Sequence, residues 1–338
     1  MKILLDVMSG DKAPLDIIRG GTMAAGDFDV DIVMIGDEQI IRQTASDNYI
    51  DISKDNISIV HASEVITMED PALSIRTKKD SSMAVGLQML AADEGDAFVS
   101  AGNTGALYAG ASLIVYRIKG FRKAAIATVL PFETPMLLID SGANIVVTDE
   151  NITQFALMGS IYMEKLFGIV NPRVGLLNNG TEKTKGTQLL QDSYARLNEC
   201  EAINFVGNVE GKQIPFSVCD VLVTDGFTGN VVLKLTEGLG SFLFKKLKGI
   251  FYKNVLTKMS AAIIKKDMSV LKKDFDASEY GGAPILGISR PVIKAHGGSD
   301  ALAIRNAVRQ AIAYARNGVI VDIARYAMTS SDCGSTES

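Results

Sequence analysis

Two stretches of this 338-residue chain carry the same polar groups at the same spacing. Thr224-Asp225-Gly226-Phe227-Thr228-Gly229-Asn230 and Ser100-Ala101-Gly102-Asn103-Thr104-Gly105-Ala106 both read hydroxyl-x-Gly-x-Thr-Gly-x. A short apolar run, Val221–Thr224 or Ala97–Ser100, leads into each. Apolar residues at helical spacing lead out: Val231, Val232, Leu235 and Leu239 after one, Leu107, Ala111, Leu113 and Ile114 after the other. The pattern is strand, glycine turn, helix. In such a unit the first N–H groups of the helix sit at the carboxyl edge of a parallel sheet and attract anions. Glycine lets the backbone approach a ligand with no Cβ in the way. Either stretch alone is equally explained as a tight turn. Two copies with polar ends favour a shared anion cleft, with Asn103, Thr104, Gly105, Asp225, Gly226, Thr228 and Gly229 as its expected lining.

Three more strands end in polar, glycine-bearing turns. Asp6-Val7-Met8-Ser9-Gly10-Asp11 follows the first, Asp140-Ser141-Gly142-Ala143-Asn144 a later one, and Asn178 to Gly186, with Lys185, another. Five such turns gathered at one sheet edge would make a polar pocket. The standard phosphate motifs do not match. Gly180 and Gly186 stand one residue too far apart for a Walker loop and Lys185 precedes the second glycine; Gly102, Gly105 and Gly110 do not form a dinucleotide fingerprint. No HExxH, GxSxG or carboxylate-rich metal run occurs, so no cofactor or metal is expected. His61 ends an apolar strand and reads as structural. His296 stands just before a helix over 300–316 that Ser299 would cap; its functional and structural readings both stay open.

The elements that must hold these groups are short apolar runs alternating with helical stretches. Candidate strands are Ile3–Asp6, Val30–Ile35, Ile57–His61, Ala97–Ser100, Ala125–Leu130, Met136–Asp140, Val174–Asn178, Ile203–Val206 and Val221–Thr224, with crossover helices such as Ser82–Ala92, Ile152–Phe167 and Gly186–Leu197. That alternation predicts an α/β/α sandwich on a mainly parallel sheet. The link Leu130–Met136 is too short for a helix and predicts an antiparallel pair, hence a mixed sheet. One large catalytic unit is expected over 1–328, with a polar tail over 329–338. A net charge of −5 argues against nucleic-acid binding. Cys200, Cys219 and Cys333 are too scattered for a disulfide framework or a zinc site. The early charge and the lack of a long apolar run predict a cytoplasmic protein, or one lying on a membrane surface.

Residues 240–275 differ in kind. They hold nine lysines and two aspartates, a local charge of +7 in an acidic chain. Leu247, Ile250, Phe251, Leu256, Met259 and Ile263 fall near helical spacing among them. A basic amphipathic excursion of this type suits an anionic membrane surface or an acidic partner. A surface helix pair packed on its own domain or across a dimer would carry the same pattern. Tyr280–Gly287 reads as a glycine-rich loop.

Taken together, these motifs resemble one family, the bacterial phosphate acyltransferases of phospholipid synthesis. The resemblance rests on Asp6-x-Met8-x-Gly10-Asp11-x-x-Pro14, Ser100 to Ala106, Asp140-x-Gly142-Ala143-Asn144 and Asp225-Gly226-Phe227-x-Gly229-Asn230. It continues through Tyr280-Gly281-Gly282-Ala283-Pro284 and Lys294-Ala295-His296-Gly297-x-Ser299. Ser9 stands where the family usually has glycine, and Asn179 where it usually has an aliphatic residue. The resemblance implies transfer of a fatty acyl group from acyl carrier protein to inorganic phosphate, a homodimer, and a fold related to phosphotransacetylases and isopropylmalate dehydrogenases. It implies Lys185 and Asn230 as the catalytic pair. It adds Asp6, Gly10, Asn144 and His296 to the phosphate-binding residues.

The chemistry so implied is modest in its demands. Phosphate near neutral pH is already partly dianionic, as a phosphoester with a pKa of about 6 is. A thiolate, with a pKa of about 8.5, leaves without a strong acid. Such a transfer requires an anion cradle and donors for the oxyanion, and no triad. A short-chain phosphotransacetylase acting on acyl-CoA is a rival reading, as is a non-catalytic ligand-binding regulator of lipid metabolism. A dehydrogenase on a related fold lacks its nucleotide fingerprint here.

Overall fold

Alternate residues of a strand face opposite sides of a sheet, and in the first strand both sides are apolar. Ile3 and Leu5 enter one buried cluster and Leu4 another, all fully buried. That two-sided burial recurs through a computed structural model that describes residues 1–132, 134–253, 268 and 280–329. In chain order the elements of its first half are β1 (Lys2–Asp6), α1 (Leu15–Asp27), β2 (Asp31–Gly36), α2 (Glu38–Asp47), β3 (Ile57–His61), α3 (Ser82–Ala91), β4 (Ala97–Ser100), α4 (Thr104–Gly110), β5 (Ala125–Leu130) and β6 (Met136–Ile139). Then follow α5 (Asp149–Phe167), β7 (Arg173–Asn178), α6 (Gln188–Glu199), β8 (Asn204–Glu210), β9 (Val221–Val223), α7 (Gly226–Phe251), β10 (Ala283–Leu286), β11 (Val292–Lys294), α8 (Ala301–Arg316) and α9 (Val319–Thr329). The expected α/β class with a mainly parallel, mixed sheet is what the chain adopts.

The eleven strands form one sheet in the order β3-β2-β1-β4-β11-β10-β5-β6-β9-β7-β8. One face carries a continuous core that includes α1, α5 and α8; the other face carries two separate clusters, one under α3 and α4 and one reaching Val232 and Leu233 of α7. The hairpin inferred from the short 130–136 link is present, with Leu130 opposite Met136.

Two features depart from the sequence reading. The supposed loop at 280–287 contains β10, which pairs antiparallel with both β11 and β5. Its glycines are there for close packing: a Cβ on Gly282 would lie 2.6 Å from the Lys294 carbonyl oxygen. The second departure is direction. β3, β2, β1, β4 and β11 are mutually parallel, as are β6, β9, β7 and β8, but β10 and the β5–β6 pair reverse the sense between the groups. The polar turns therefore do not share one edge. The carboxyl ends of two opposed half-sheets approach each other at the seam. Ala283 sits opposite Lys294, while Ile285 sits opposite Ile126, which bonds to Asp140 and Ser141. Two residues of β10 span that offset, roughly 7 Å.

Beyond Lys253 most of the basic stretch, with Leu256, Met259 and Ile263, lies outside the described residues, as do residues 330–338 of the expected tail.

Candidate functional site

On the first half-sheet, Asp6 ends β1 fully buried, its two oxygens accepting from the hydroxyls of Ser82 and Ser100 at 2.6 Å each. Burial pushes its carboxyl above the ordinary range, and the serine hydroxyls pull it back. Gly10, at φ +116°, lets the next loop turn against the end of β4; a Cβ there would meet Ala101 Cβ at 3.0 Å. The Asp11 N–H then donates to the Gly297 carbonyl at 2.8 Å, tying the loops after β1 and β11 together. Asn103 caps α4 by accepting from the Ala106 N–H, while its amide donates to carbonyls of Thr67, Met68 and Asp70. Its side chain thus holds a neighbouring loop in place. Thr104 and Gly105, just inside the helix, are exposed, and among the described residues no backbone acceptor meets their N–H groups.

On the second half-sheet the polar groups largely hold one another. Asp140 accepts from the N–H groups of Ile126, Gly142, Ala143 and Asn144 and from the Asn144 amide. Asn144 is committed too, donating to the Ala124 carbonyl and accepting from the Tyr108 hydroxyl. The expected turn at 225–229 is the first turn of α7. Asp225 is its cap: it accepts from the N–H groups of Phe227 and Thr228 and from the Thr228 hydroxyl. The Gly226 N–H donates to the Asn144 carbonyl at 2.7 Å and the Gly229 N–H to the Asp225 carbonyl at 2.9 Å. Asp225 therefore occupies the place an anion would take at this helix start. The two glycines serve packing instead. A Cβ on Gly229 would lie 1.9 Å from the Asp140 carbonyl oxygen, and one on Gly226 2.6 Å from the Asn144 nitrogen. That tight seating places Asn230 beside Gly142, 3.6 Å from where a Cβ on that glycine would be.

Between the half-sheets lies an open cavity of about 820 Å³. Thr104, Gly142, Asn230, Lys234, Lys294 and His296 bring polar groups to it, and Ile126, Val129, Leu130, Phe132, Leu233 and Phe244 make an apolar wall. Lys234 is paired with Glu237 at 2.7 Å. The His296 ring accepts from the Gly298 N–H through Nδ1, and Asp300, not Ser299, caps α8 by accepting from Ala303. His61 accepts from the Glu38 N–H, a structural bond. Lys185 is exposed on the loop after β7, held by its main chain: its N–H donates to Glu182 and its carbonyl accepts from Asn178. It is not among the cavity-lining residues, although β7 and β9 are neighbours with their carboxyl ends together.

Lys294, which stands in one of the motifs behind the resemblance but has no role in the sequence reading, also lines the cavity. Only 8% exposed, it ends β11 at the cavity wall. Burial holds its ammonium down to about 8, with Asp6 and Asp11 drawing it up and Lys234 pressing it further down. A lysine closing the apolar run Val292-Ile293 is the available signal, hidden because the segment does not read as a strand.

The fold is that of the phosphotransacetylases: one from Streptococcus pyogenes superposes with a TM-score of 0.65 at 16% identity, covering 93% of this chain and 94% of that one. The profile of the family described as "Fatty acid synthesis protein" matches residues 1–322. Phosphate acyltransferases are similar throughout: that of Acetivibrio thermocellus is 49% identical over 93% of both chains, and that of Alkaliphilus oremlandii 46% over 96% of both. The chain belongs to this family.

Proposed function

We propose that the protein is a phosphate acyltransferase that moves a long-chain acyl group from the thioester of acyl carrier protein to inorganic phosphate, giving acyl phosphate for phospholipid synthesis. The observation that carries this is the cavity, which sets polar donors and a buried ammonium against an apolar wall large enough for an alkyl chain. A phosphate oxygen attacks the thioester carbonyl, the carbonyl oxygen takes the negative charge, and the carbon–sulfur bond then breaks to release carrier thiolate. Asn230 donates to phosphate or to the developing oxyanion, and Lys185 neutralises charge as its loop meets substrate. Thr104 and His296 line the phosphate end. Asp6, Gly10, Asn103, Asn144, Asp225, Gly226, Thr228 and Gly229 support the site mainly by fixing its loops. The apolar wall favours a long acyl chain over the acetyl group of a short-chain enzyme. Residues 1–328 act as one unit, consistent with the unbroken sheet.

We also infer that the protein is a homodimer working at an anionic membrane surface. α7 supports this, because Val231, Leu235, Leu239, Phe242 and Leu243 expose half or more of their surface along it. Farther along, Leu247 and Phe251 are half-buried and Ile250 is exposed, among Lys245, Lys246 and Lys248. No helix among the described residues is long and apolar enough to cross a membrane, which fits a surface mode of attachment. The functional reading is tested by incubating the protein with palmitoyl-carrier with and without phosphate and trapping acyl phosphate with hydroxylamine. Carrier release only when phosphate is present is the expected result; equal release without it points to a hydrolase, and no release to a binder.

A further inference from the structure

Across β1, β4 and β11 the sheet register sets three polar residues in one row: Asp6 opposite Ser100, and Ser100 opposite Lys294. All three end their strands and all are buried. Among the described residues Asp6 forms no ion pair with Lys294; its two oxygens accept from the hydroxyls of Ser82 and Ser100. The Lys294 ammonium donates instead to the carbonyl oxygens of Ala101, at 3.3 Å, and Ala295. A lysine carries three N–H donors, so one remains. Among the described residues no carboxylate comes close enough to pair with it. A charged group taken out of water needs a counter-charge, and carbonyl dipoles supply only part of one. The remaining donor belongs to a residue on the wall of the open cavity.

We propose that Lys294 is the phosphate-binding residue of the site, its buried ammonium pairing with the inorganic phosphate that attacks the acyl group. This rests on the acyl-transfer reading above and adds to it the anchor for the second substrate. Phosphate suits the place better than a thioester carbonyl does. It brings a full negative charge to a buried cation, and the hydroxyl of Thr104 and the imidazole of His296 line the same cavity. Lys234 adds a second positive charge from α7, partly offset by Glu237. The groups facing Lys294 are thus Asp6 from β1, Asp11 from the loop after it, Lys234 from α7 and His296 from its own segment. Bound phosphate favours the charged lysine, so affinity for phosphate falls as pH rises through the free lysine's value of about 8.

The test is steady-state kinetics with inorganic phosphate and acyl-carrier varied separately. Lys294→Met is expected to raise KM for phosphate about 30-fold, the scale of losing one charged donor, while KM for the acyl-carrier changes less than about 3-fold. In the unaltered protein KM for phosphate is expected to rise steeply above pH 8, where phosphate itself stays dianionic. A folded Lys294→Met variant with unchanged KM for phosphate overturns the proposal. If that variant does not fold, the unaltered protein decides: a flat phosphate KM from pH 7 to 9.5 overturns it. Failure of the acyl-transfer reading shows differently, as thioester consumption that ignores phosphate in the unaltered protein.

Discussion

Replacing Gly229 by alanine sets two effects of opposite sign against each other. Alanine is the better helix former by up to about 1 kcal/mol, so intrinsic preference alone would stabilise α7. The added methyl, however, would sit 1.9 Å from the Asp140 carbonyl oxygen and 3.0 Å from its carbon. An ordinary contact needs about 3.5 Å, so helix or loop must move by more than an ångström. Asp140 is held by five hydrogen bonds and cannot yield cheaply. Overpacking of this kind costs about 1–3 kcal/mol, enough to cancel or outweigh the helical gain. Activity should suffer more than stability, because Asn230 is the next residue, and a misplacement of about 1 Å can cost roughly 100-fold. Gly238, in the same helix with nothing within 4 Å of where its methyl would stand, is the control. Urea unfolding and turnover of acyl-carrier with phosphate should show Gly238→Ala slightly stabilised and fully active, and Gly229→Ala no more stable and severely impaired. A Gly229→Ala protein that is stabilised like the control and turns over normally would refute the packing argument.

Three further outcomes follow from the structure and the proposed roles. Lys185→Ala and Asn230→Ala should each lower kcat about 100-fold or more with unfolding midpoints near the parent's, since one oxyanion-type donor is worth roughly 3–4 kcal/mol; near-normal turnover removes that residue from the mechanism. Asp220 ties β9 to β7 by accepting from the Arg173 main-chain N–H at 2.7 Å and from its guanidinium; burial alone would raise its carboxyl, but Arg173 brings it below the usual range. Its stabilisation is therefore complete above about pH 4 and lost as pH falls through the lowered value, so the urea midpoints of parent and Asp220→Asn should differ at pH 7 and converge in acid. Changing Leu256 and Ile263 together to Glu should abolish co-flotation with anionic liposomes while sparing the rate on soluble acyl-carrier; unchanged flotation counts against membrane attachment, and joint loss with an intact fold points to carrier docking or dimer packing.

What was legible in the sequence was what local burial dictates. Ile3–Asp6, Ala97–Ser100 and Ala125–Leu130 carry buried apolar residues on both faces and form strands as expected, the last in the hairpin that the short 130–136 link implied. β10 and β11 were not legible, because Gly281-Gly282-Ala283-Pro284 has little strand preference of its own; Ala283 and Pro284 are fixed by pairing with β11, and the following Ile285 and Leu286 by long-range pairing with β5. With them went the reversal of the sheet and the site value of Lys294. The polar turns were located correctly, but sequence cannot say whether an amide or glycine faces ligand or framework. Asn103 and Asn144 face the framework, and the glycines at 226 and 229 exist for backbone contact. The stripe on α7 had the period of a core helix and is exposed in the isolated chain. Periodicity reveals an apolar face without revealing what covers it.

In the proposed reaction a phosphate oxygen, and not water, attacks the thioester. Supplying inorganic phosphate labelled on all four oxygens with oxygen-18 tests it directly. Acyl phosphate carrying all four labelled oxygens, formed in step with released carrier thiol, is the predicted product. Unlabelled fatty acid formed at the same rate whether or not phosphate is present would show that water is the nucleophile.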